Sequence, residues 1–266
     1  MLPLQNKTIV ITRAKNQIGN SSLLFKNLGA NVIEFPAIEI IPPDDWSEFD
    51  KIIKSIKIDL IIFTSVNSVS FFYQRINQLK HNLDFEKISI IAVGTKTAEM
   101  CQQLLHKVDI VPQKFSSKGI TDSISNVDLE NKNVLLPQSD ISKKDLADEL
   151  KKKKANVFQV TVYKNVLPNR NDLNEVIQLI ESSRVDVFIF TSPSTFRNFI
   201  ELMHIKDPAK FFKQKVVAAI GETTENEIKK CGLRQIIKPD ISTLESLSVK
   251  LSEYFKQYGE SLETTY

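Results

Sequence analysis

Two hydroxyl pairs follow two nearly identical apolar runs and could bind an anion. Asp59–Phe72 reads DLIIFTSVNSVSFF, and Asp186–Phe199 reads DVFIFTSPSTFRNF. In each copy the apolar run predicts a buried parallel strand, and the segment after the Thr-Ser pair has a helical period. The hydroxyls therefore stand where a helix begins with unpaired backbone N–H groups, which is a natural anion site. They belong to Thr64, Ser65, Thr191 and Ser192. Simple N-capping of the helix is the competing interpretation, and it stays open.

Two glycines mark a second pair of turns. Gly94 in IAVGTKTAEM and Gly221 in AAIGETTENE each stand 35 residues after the aspartate that opens their copy. Each lies between an apolar strand and a helix whose first turn carries Thr97 or Thr224. A residue without Cβ permits a sharp turn and the close approach of a ligand. The chain lacks the glycine patterns of dinucleotide, Walker-type and serine-hydrolase sites, so those functions lose their main support.

The spacing shows that one unit is duplicated. The two glycines differ by 127 positions, and so do Thr97 and Thr224. At the start of each copy, KTIVITRA from Lys7 is similar to KNVLLPQS from Lys132, with an offset of 125. A period this long is far above that of solenoid repeats, so each copy is expected to have its own core.

Length and composition are those of an ordinary globular protein. With 266 residues, 42% hydrophobic and 25% charged, the chain is expected to form about two domains. The net charge of +3 is spread along the chain without interleaved aromatic residues, which argues against a nucleic-acid surface. The run Lys151–Lys154 is expected to end a helix, where cations are favoured.

Neither a membrane segment nor a metal site is predicted. No apolar run reaches the roughly 18 residues of a membrane span, and the start MLPLQNK is unlike a signal peptide, so a cytoplasmic protein is expected. No pair has the spacing of a disulfide framework or a metal site, and no cofactor is implied. The residues concerned are Cys101, Cys231, His81, His106 and His204.

Strands alternate with helices along both copies, which predicts an α/β fold with parallel sheets covered on both faces. Within this order we expect a proline-marked connection near Pro42-Pro43, short strands ending at Pro112 and Pro239, and a last helix from about 243 to 256. Ligands of such sheets bind at the carboxyl ends of the strands. Two such edges facing one another would form a cleft.

In their order and spacing, several segments together resemble the uroporphyrinogen-III synthase family. They are TIVITRA, GANVIEFPAIEI, IIFTSVNSV, AVGTKTA, the Val162-Tyr163 pair, IFTSPST and AIGETT. The resemblance covers nearly the whole chain, although no single motif is specific.

The resemblance implies two similar flavodoxin-like, HemD-like α/β domains joined by a two-stranded linker, with a deep cleft between them. It implies a discontinuous first domain, 1–38 with 168–258, an inserted domain over 39–167 and a polar tail over 259–266. The duplication alone would divide the chain near residue 128. A monomer without metal or cofactor is also implied.

The family's activity is the closure of linear hydroxymethylbilane to uroporphyrinogen III, with inversion of the last pyrrole ring and loss of water. By this resemblance, Tyr163 is the candidate general acid for the departing hydroxyl group. An ordinary half-buried tyrosine at a strand end is the alternative. The other residues matched to the substrate are Thr97, Thr224, Ser65, Ser192, Thr64, Thr191, Gly94, Gly221 and Arg13, with Lys118 and Arg197 added from position only.

One loop departs from the family, and two other functions stay open. After the strand at Val134 to Leu136 many members have a glycine and an arginine, whereas this chain has PQSDISKKD, Pro137 to Asp145. A two-domain protein that binds an acidic small molecule without turnover would use the same turns without needing Tyr163. A signalling pair of flavodoxin-like domains is the third possibility, although the acidic cluster and lysine of a phosphoreceiver are not evident.

Overall fold

The chain divides into two compact units in a computed structural model that describes residues 2–81, 83–114 and 116–263. For residue 16 and residues 258–263 the description covers the backbone alone. Unit 1 comprises Met1–Glu39 and Val166–Tyr266, and unit 2 comprises Ile40–Asn165. Whether each unit is an independently folding domain, as the resemblance implies, stays a prediction.

The strands are β1 (Thr8–Ala14), β2 (Asn31–Ile41), β3 (Leu60–Phe63), β4 (Ser89–Ala92), β5 (Asn133–Ser139), β6 (Asn156–Val166), β7 (Val187–Phe190), β8 (Val216–Ala219) and β9 (Ile236–Ile237). The helices are α1 (Lys15–Asn27), α2 (Ser47–Ser55), α3 (Val66–Leu79), α4 (Thr95–Leu105), α5 (Ser117–Ser123), α6 (Asp145–Lys152), α7 (Asn174–Ser182), α8 (Pro193–Leu202), α9 (Pro208–Phe211), α10 (Glu222–Lys229) and α11 (Leu244–Glu263). Short 3-10 turns lie at Phe85–Lys87 and Arg170–Leu173. Within the described residues, none of these helices has the length and apolar content needed to cross a bilayer.

Unit 1 contains a parallel sheet in the order β2-β1-β7-β8-β9. Taken in chain order within the unit, this is 2-1-3-4-5, the order of flavodoxin-like folds. Its strands are nearly all apolar because both faces are covered. One face packs against phenylalanines of α8 and α9, including Phe199 and Phe211, and the other packs against α1 and α11 through Phe25 and Leu247.

Unit 2 contains a parallel sheet in the order β4-β3-β5-β6, and Ile110 adds a single bridge beyond β4 at Ile91. If β5 is counted first, this is the same 2-1-3-4 order with a vestigial fifth strand. Core clusters again lie on both faces of the sheet. The α/β class and the covered parallel sheets predicted from the sequence are therefore confirmed.

The duplication is preserved down to a local irregularity. In unit 1 the register of β1 against β2 shifts between Arg13 and Ala14, and in unit 2 the register of β5 against β6 shifts between Gln138 and Ser139. These positions are 125 residues apart, which is the offset found in the sequence. A bulge re-aims the side chains around it, and bulges are common next to functional sites.

Three local predictions were wrong. The connection after Pro42-Pro43 contains α2, whose Phe49, Ile52 and Ile53 have helical spacing and are buried. The predicted strand before Pro112 is only the bridge at Ile110, because that segment pairs on one side alone. The last helix does not end near Lys256 but continues through Glu263. The rest of the predicted tail, 264–266, lies outside the described residues.

We expect residues 40–165 to fold when expressed alone, because both core clusters of this sheet, with β3 to β5 and all of β6 but its last residue, lie within that range. The measurement is urea unfolding followed by circular dichroism, with one cooperative transition expected. A gradual unfolding transition of residues 40–165 alone would show that unit 2 depends on the rest of the chain for its stability.

Phe72 is fully buried against Phe49 and Phe63, so Phe72→Ala should lower the free energy of unfolding by about 3–5 kcal/mol.

Candidate active site

In unit 2 a hydroxyl pair stands between the end of β3 and the start of α3, as the sequence predicted. Ser65 is the N-cap of α3, where its Oγ accepts a hydrogen bond from the Ser68 N–H at 3.0 Å. The Ser68 Oγ in turn accepts from the Ser65 N–H at 3.3 Å, which completes a capping box. Thr64 is exposed at this edge. The capping interpretation is thus confirmed for Ser65, and its hydroxyl has a second neighbour.

That neighbour is Tyr163, whose hydroxyl oxygen lies 3.2 Å from the Ser65 Oγ, with either group able to donate. Tyr163 lies on β6 opposite Ser139, directly after the register shift. Its ring stacks on Phe71 with centroids 5.9 Å apart, and the residue is only 8% exposed. The ring therefore belongs to the core, while the hydroxyl reaches the start of α3. The two alternatives for Tyr163, packing and proton donation, use different ends of the same side chain.

In unit 1 the corresponding turn has a similar cap but no tyrosine. Ser192 is the N-cap of α8 and accepts from the Thr195 N–H at 3.1 Å. The Thr191 hydroxyl donates to the Thr12 carbonyl at 3.0 Å, so it ties the end of β7 to β1. Ile38 lies opposite this unit's register shift, where unit 2 has Tyr163. The two edges are therefore alike in their caps and different in their chemistry.

Glycines precede α4 and α10, and neither helix start has a side-chain cap. The two positions require glycine for different reasons. Gly94 has a φ of +90°, a conformation that side chains rarely adopt. Gly221 is extended, and a Cβ there would lie 2.8 Å from the Ser242 Oγ. Gly94 thus provides the sharp turn, and Gly221 provides room for a neighbouring loop. Sequence analysis missed Ser242, although it lies only a few residues after Pro239.

Thr97 and Thr224 lie in the first turns of α4 and α10 and are only 4% and 1% exposed. Neither hydroxyl makes a hydrogen bond with the residues that the structure describes. Their contact with a substrate stays a prediction.

The charges near these two helix starts differ. The first turn of α4 has no acidic residue, whereas that of α10 has Glu222 and Glu225. Hydrogen bonds from Lys229 and Lys238 hold the pKa of Glu225 below its usual value, so it remains charged. The start of α4 is consequently the more favourable of the two for an anion.

Arg13 is the next-to-last residue of β1, at the register shift, and is held by the helix that follows. Its Nη1 donates to the Ser21 Oγ at 2.7 Å, and its Nε donates to the Gln17 Oε1 at 3.1 Å. Burial lowers the pKa of the Arg13 guanidinium, and the charge of Glu245 opposes this effect. The guanidinium is thus fixed in orientation, while its role as a carboxylate clamp stays a prediction.

The two residues chosen from position only differ in their surroundings. Arg197 is paired with Glu227 at 2.9 Å, so its charge already has a partner. Lys118 is exposed in α5 and makes no ion pair with the described part of the chain. A contact of Arg197 or Lys118 with substrate stays a prediction.

The cysteines are poor nucleophiles, and no metal site is present in the described ranges. Burial raises the pKa of the Cys101 thiol to about 12, so it remains protonated at neutral pH. Burial, with the charge of Glu227, also raises the pKa of Cys231. Among the described residues, no three of His, Cys, Asp and Glu are grouped so that they could hold a metal ion.

Comparison with known proteins gives a consistent match. A family model described as uroporphyrinogen-III synthase HemD matches residues 21–248. The uroporphyrinogen-III synthase of Chlorobaculum parvum is 26% identical over 94% of this chain and 100% of its own length, and that of Synechococcus elongatus is 26% identical over 96% and 98%. The solved structure of uroporphyrinogen-III synthetase from Helicobacter pylori covers 93% of this chain and 99% of its own, with a TM-score of 0.60 at 18% identity. A mutant uroporphyrinogen III synthase from Thermus thermophilus covers 95% and 99%, with a TM-score of 0.60 at 16% identity. At these identities the structures show a common fold.

Removing either serine cap should destabilise the protein. We expect Ser65→Ala and Ser192→Ala each to lower the free energy of unfolding by about 0.5–2 kcal/mol, because an N–H of the first turn loses its acceptor. Ser70 lies inside α3 and is not a cap, so Ser70→Ala is the matched control and should have little effect. Denaturant unfolding measures all three, and equal stability of the caps and the control would contradict the capping role.

Proposed function

We propose that this chain, which belongs to the uroporphyrinogen-III synthase family, closes hydroxymethylbilane to uroporphyrinogen III with loss of water. The observation that carries this proposal is the family match over residues 21–248, which includes segments of both units. The duplicated helix starts at the carboxyl ends of the strands support it, because this is where such sheets bind ligands.

The substrate's chemistry suits these helix starts. Hydroxymethylbilane bears eight carboxylates, and each helix start can favour an anion by about 0.3–1 kcal/mol. The α4 start, with the Thr97 hydroxyl and without an acidic residue, is the proposed carboxylate position in unit 2. In unit 1 the Thr224 hydroxyl and the fixed guanidinium of Arg13 are the proposed contacts. A net charge of only +3 is compatible with this recognition, because backbone N–H groups carry part of it.

The reaction requires a proton donor and control of geometry. Loss of the hydroxyl as water needs a proton and leaves a reactive cationic azafulvene. Attack by the substituted carbon of the last pyrrole then gives a spiro intermediate. The original bond from this carbon to its bridging carbon breaks and forms again at the free α-carbon of the same ring, which loses its proton, so the ring is inverted and the charge is discharged. Holding the flexible chain so that this carbon reacts is worth up to roughly 7–11 kcal/mol. The chain's main task is therefore to position the substrate.

Tyr163 is the proposed donor because it is the phenol at the edge of unit 2, and its ring is immobilised. Stacking on Phe71 fixes the ring, and the contact with Ser65 orients the hydroxyl. Ser65 can return a hydrogen bond to the phenolate oxygen after the proton has left, since either group can donate. This arrangement supports general acid catalysis followed by stabilisation of the resulting charge.

The proposed setting is the cytoplasm, as a monomer that acts on a small molecule. The spread of the lysines and arginines and the modest net charge support the proposal that neither nucleic acid nor a membrane is a partner.

A specific observation favours one alternative, a protein that binds a small acidic molecule without turnover. The Tyr163 ring is a member of the core cluster of unit 2, so its presence can be explained by packing alone. Such a protein would keep all the anion sites and would lack catalysis. Product analysis separates the two functions.

The purified chain is expected to convert hydroxymethylbilane mainly to the type III isomer, whereas the unaided reaction gives type I. Separation of the oxidised products by chromatography measures the ratio, with a reaction lacking protein as the control. Production of type I alone at every protein concentration would refute the enzyme function and leave the binding protein.

Tyr163→Phe is expected to lower kcat about 10²-fold or more while KM changes little, because the variant keeps the stacked ring and loses the donor. Phe71 stacks on the same ring, so Phe71→Leu loosens the packing but keeps the proton donor, and it should lower kcat less than Tyr163→Phe does. Steady-state kinetics with substrate that has been freshly prepared provide the measurement. An unchanged kcat in Tyr163→Phe would remove its role as donor.

A further inference from the structure

The turn after β5 has a defined structure. The strand itself continues through Ser139, so only the segment from Asp140 to Lys144 forms the turn. The Ser142 N–H donates to the Ser139 carbonyl at 3.2 Å, and the Ser139 N–H donates to the Ser142 Oγ at the same distance. The two serine hydroxyls also lie 3.1 Å apart. These bonds close the turn on itself and fix its tip.

The same turn is fastened to the strand that carries Tyr163. The Asp140 N–H donates to the Tyr163 carbonyl at 3.2 Å. The Asn165 N–H donates to the Asp140 Oδ1, also at 3.2 Å. The tip is therefore held beside the residue proposed as proton donor, within a single unit of the chain.

What this fixed tip presents is an apolar side chain. Ile141 is 69% exposed, the highest value among the exposed large hydrophobic residues of the described chain. A single exposed apolar residue is ordinary on a protein surface. Ile141 differs because its two neighbours, Asp140 and Ser142, are held by hydrogen bonds at the strand end where the reaction is proposed, while its own side chain gains little from burial.

The charges of the turn do not make it an anion site. Lys143 and Lys144 are exposed and make no ion pair within the described ranges. Asp140 and Asp145 place two negative charges in the same short segment, so the formal charges cancel. The turn thus offers no net attraction to a carboxylate. Its distinctive feature is the apolar side chain of Ile141.

We propose that Ile141 is a substrate-contacting residue that packs on the apolar face of the pyrrole carrying the hydroxymethyl group. This inference rests on the proposed function. Since the departing hydroxyl must be near Tyr163, the ring that carries it lies close to the turn fastened to that residue. The contact restricts the rotation of this ring, and it gives the segment from Pro137 to Asp145 a role that depends on an apolar contact.

Removal of the side chain tests the contact. We expect Ile141→Ala to raise KM for hydroxymethylbilane about threefold to tenfold, through the lost apolar contact, with kcat within about twofold of the wild type. Ile141→Met keeps an apolar side chain of similar volume and should retain a KM within about twofold of the wild type. Because Ile141 is exposed, the midpoint of thermal unfolding should not change in either variant.

Two controls separate this contact from general effects. Val249 is also β-branched and 56% exposed, but it lies on α11 of unit 1, so Val249→Ala should leave KM unchanged. Lys143→Gln alters the charge of the same turn and should also leave KM unchanged, because the proposal assigns the contact to the apolar side chain.

The outcomes are distinguishable. A KM of Ile141→Ala equal to that of the wild type, with type III product from both, overturns the contact and leaves the proposed function intact. A higher KM in Lys143→Gln together with an unchanged KM in Ile141→Ala would assign the turn to carboxylate binding, and this result would also overturn the proposed contact of Ile141. Type I product alone from the wild type refutes the proposed function itself, and the contact with it.

Discussion

Parallel strands impose the constraint on which this structure depends. A parallel pair needs a crossover connection, here a helix, so the carboxyl ends of all strands in a unit meet the starts of the following helices at one edge. Each helix start has N–H groups that need partners. Ser65 and Ser192 supply partners for α3 and α8, whereas α4 and α10 begin at glycines without a side-chain cap. The edge of each unit therefore contains a helix start capped by a serine and others without a side-chain cap, among them α1 and α6, and an uncapped start is suited to an anion.

Duplication has preserved this edge and changed its chemistry. The register shift after Arg13 and the one after Gln138 are equivalent positions, and the residues paired directly after the two shifts are equivalent as well. Unit 1 has Ile38 there and unit 2 has Tyr163. The conserved geometry would thus hold either an aliphatic or a phenolic side chain. The proposed proton transfer is confined to one unit, although both units have hydroxyls and helix starts that suit anions.

Much of the fold could be predicted from the sequence because its strands are short, almost purely apolar and punctuated by hydroxyl residues or glycine. The same local signals placed Ser65 and Ser192 at helix starts. The meeting of Ser65 with Tyr163 could not be predicted by spacing, since the two are 98 residues apart and are joined only through the register of β3, β5 and β6. Helix α2 was missed because Pro42-Pro43 outweighed the helical spacing of Phe49, Ile52 and Ile53.

The position of Tyr163 also shows how a residue of the core would serve as the proposed proton donor. A phenol on a mobile loop would lose conformational entropy when its hydroxyl met the substrate. Here the ring is already immobilised by stacking on Phe71 and by burial, and that ordering is part of the folding of unit 2. The hydroxyl is then placed before the substrate arrives, with Ser65 as its only hydrogen-bond partner among the described residues. Packing and catalysis are therefore complementary explanations of this tyrosine, because the first provides the fixed geometry that the second requires.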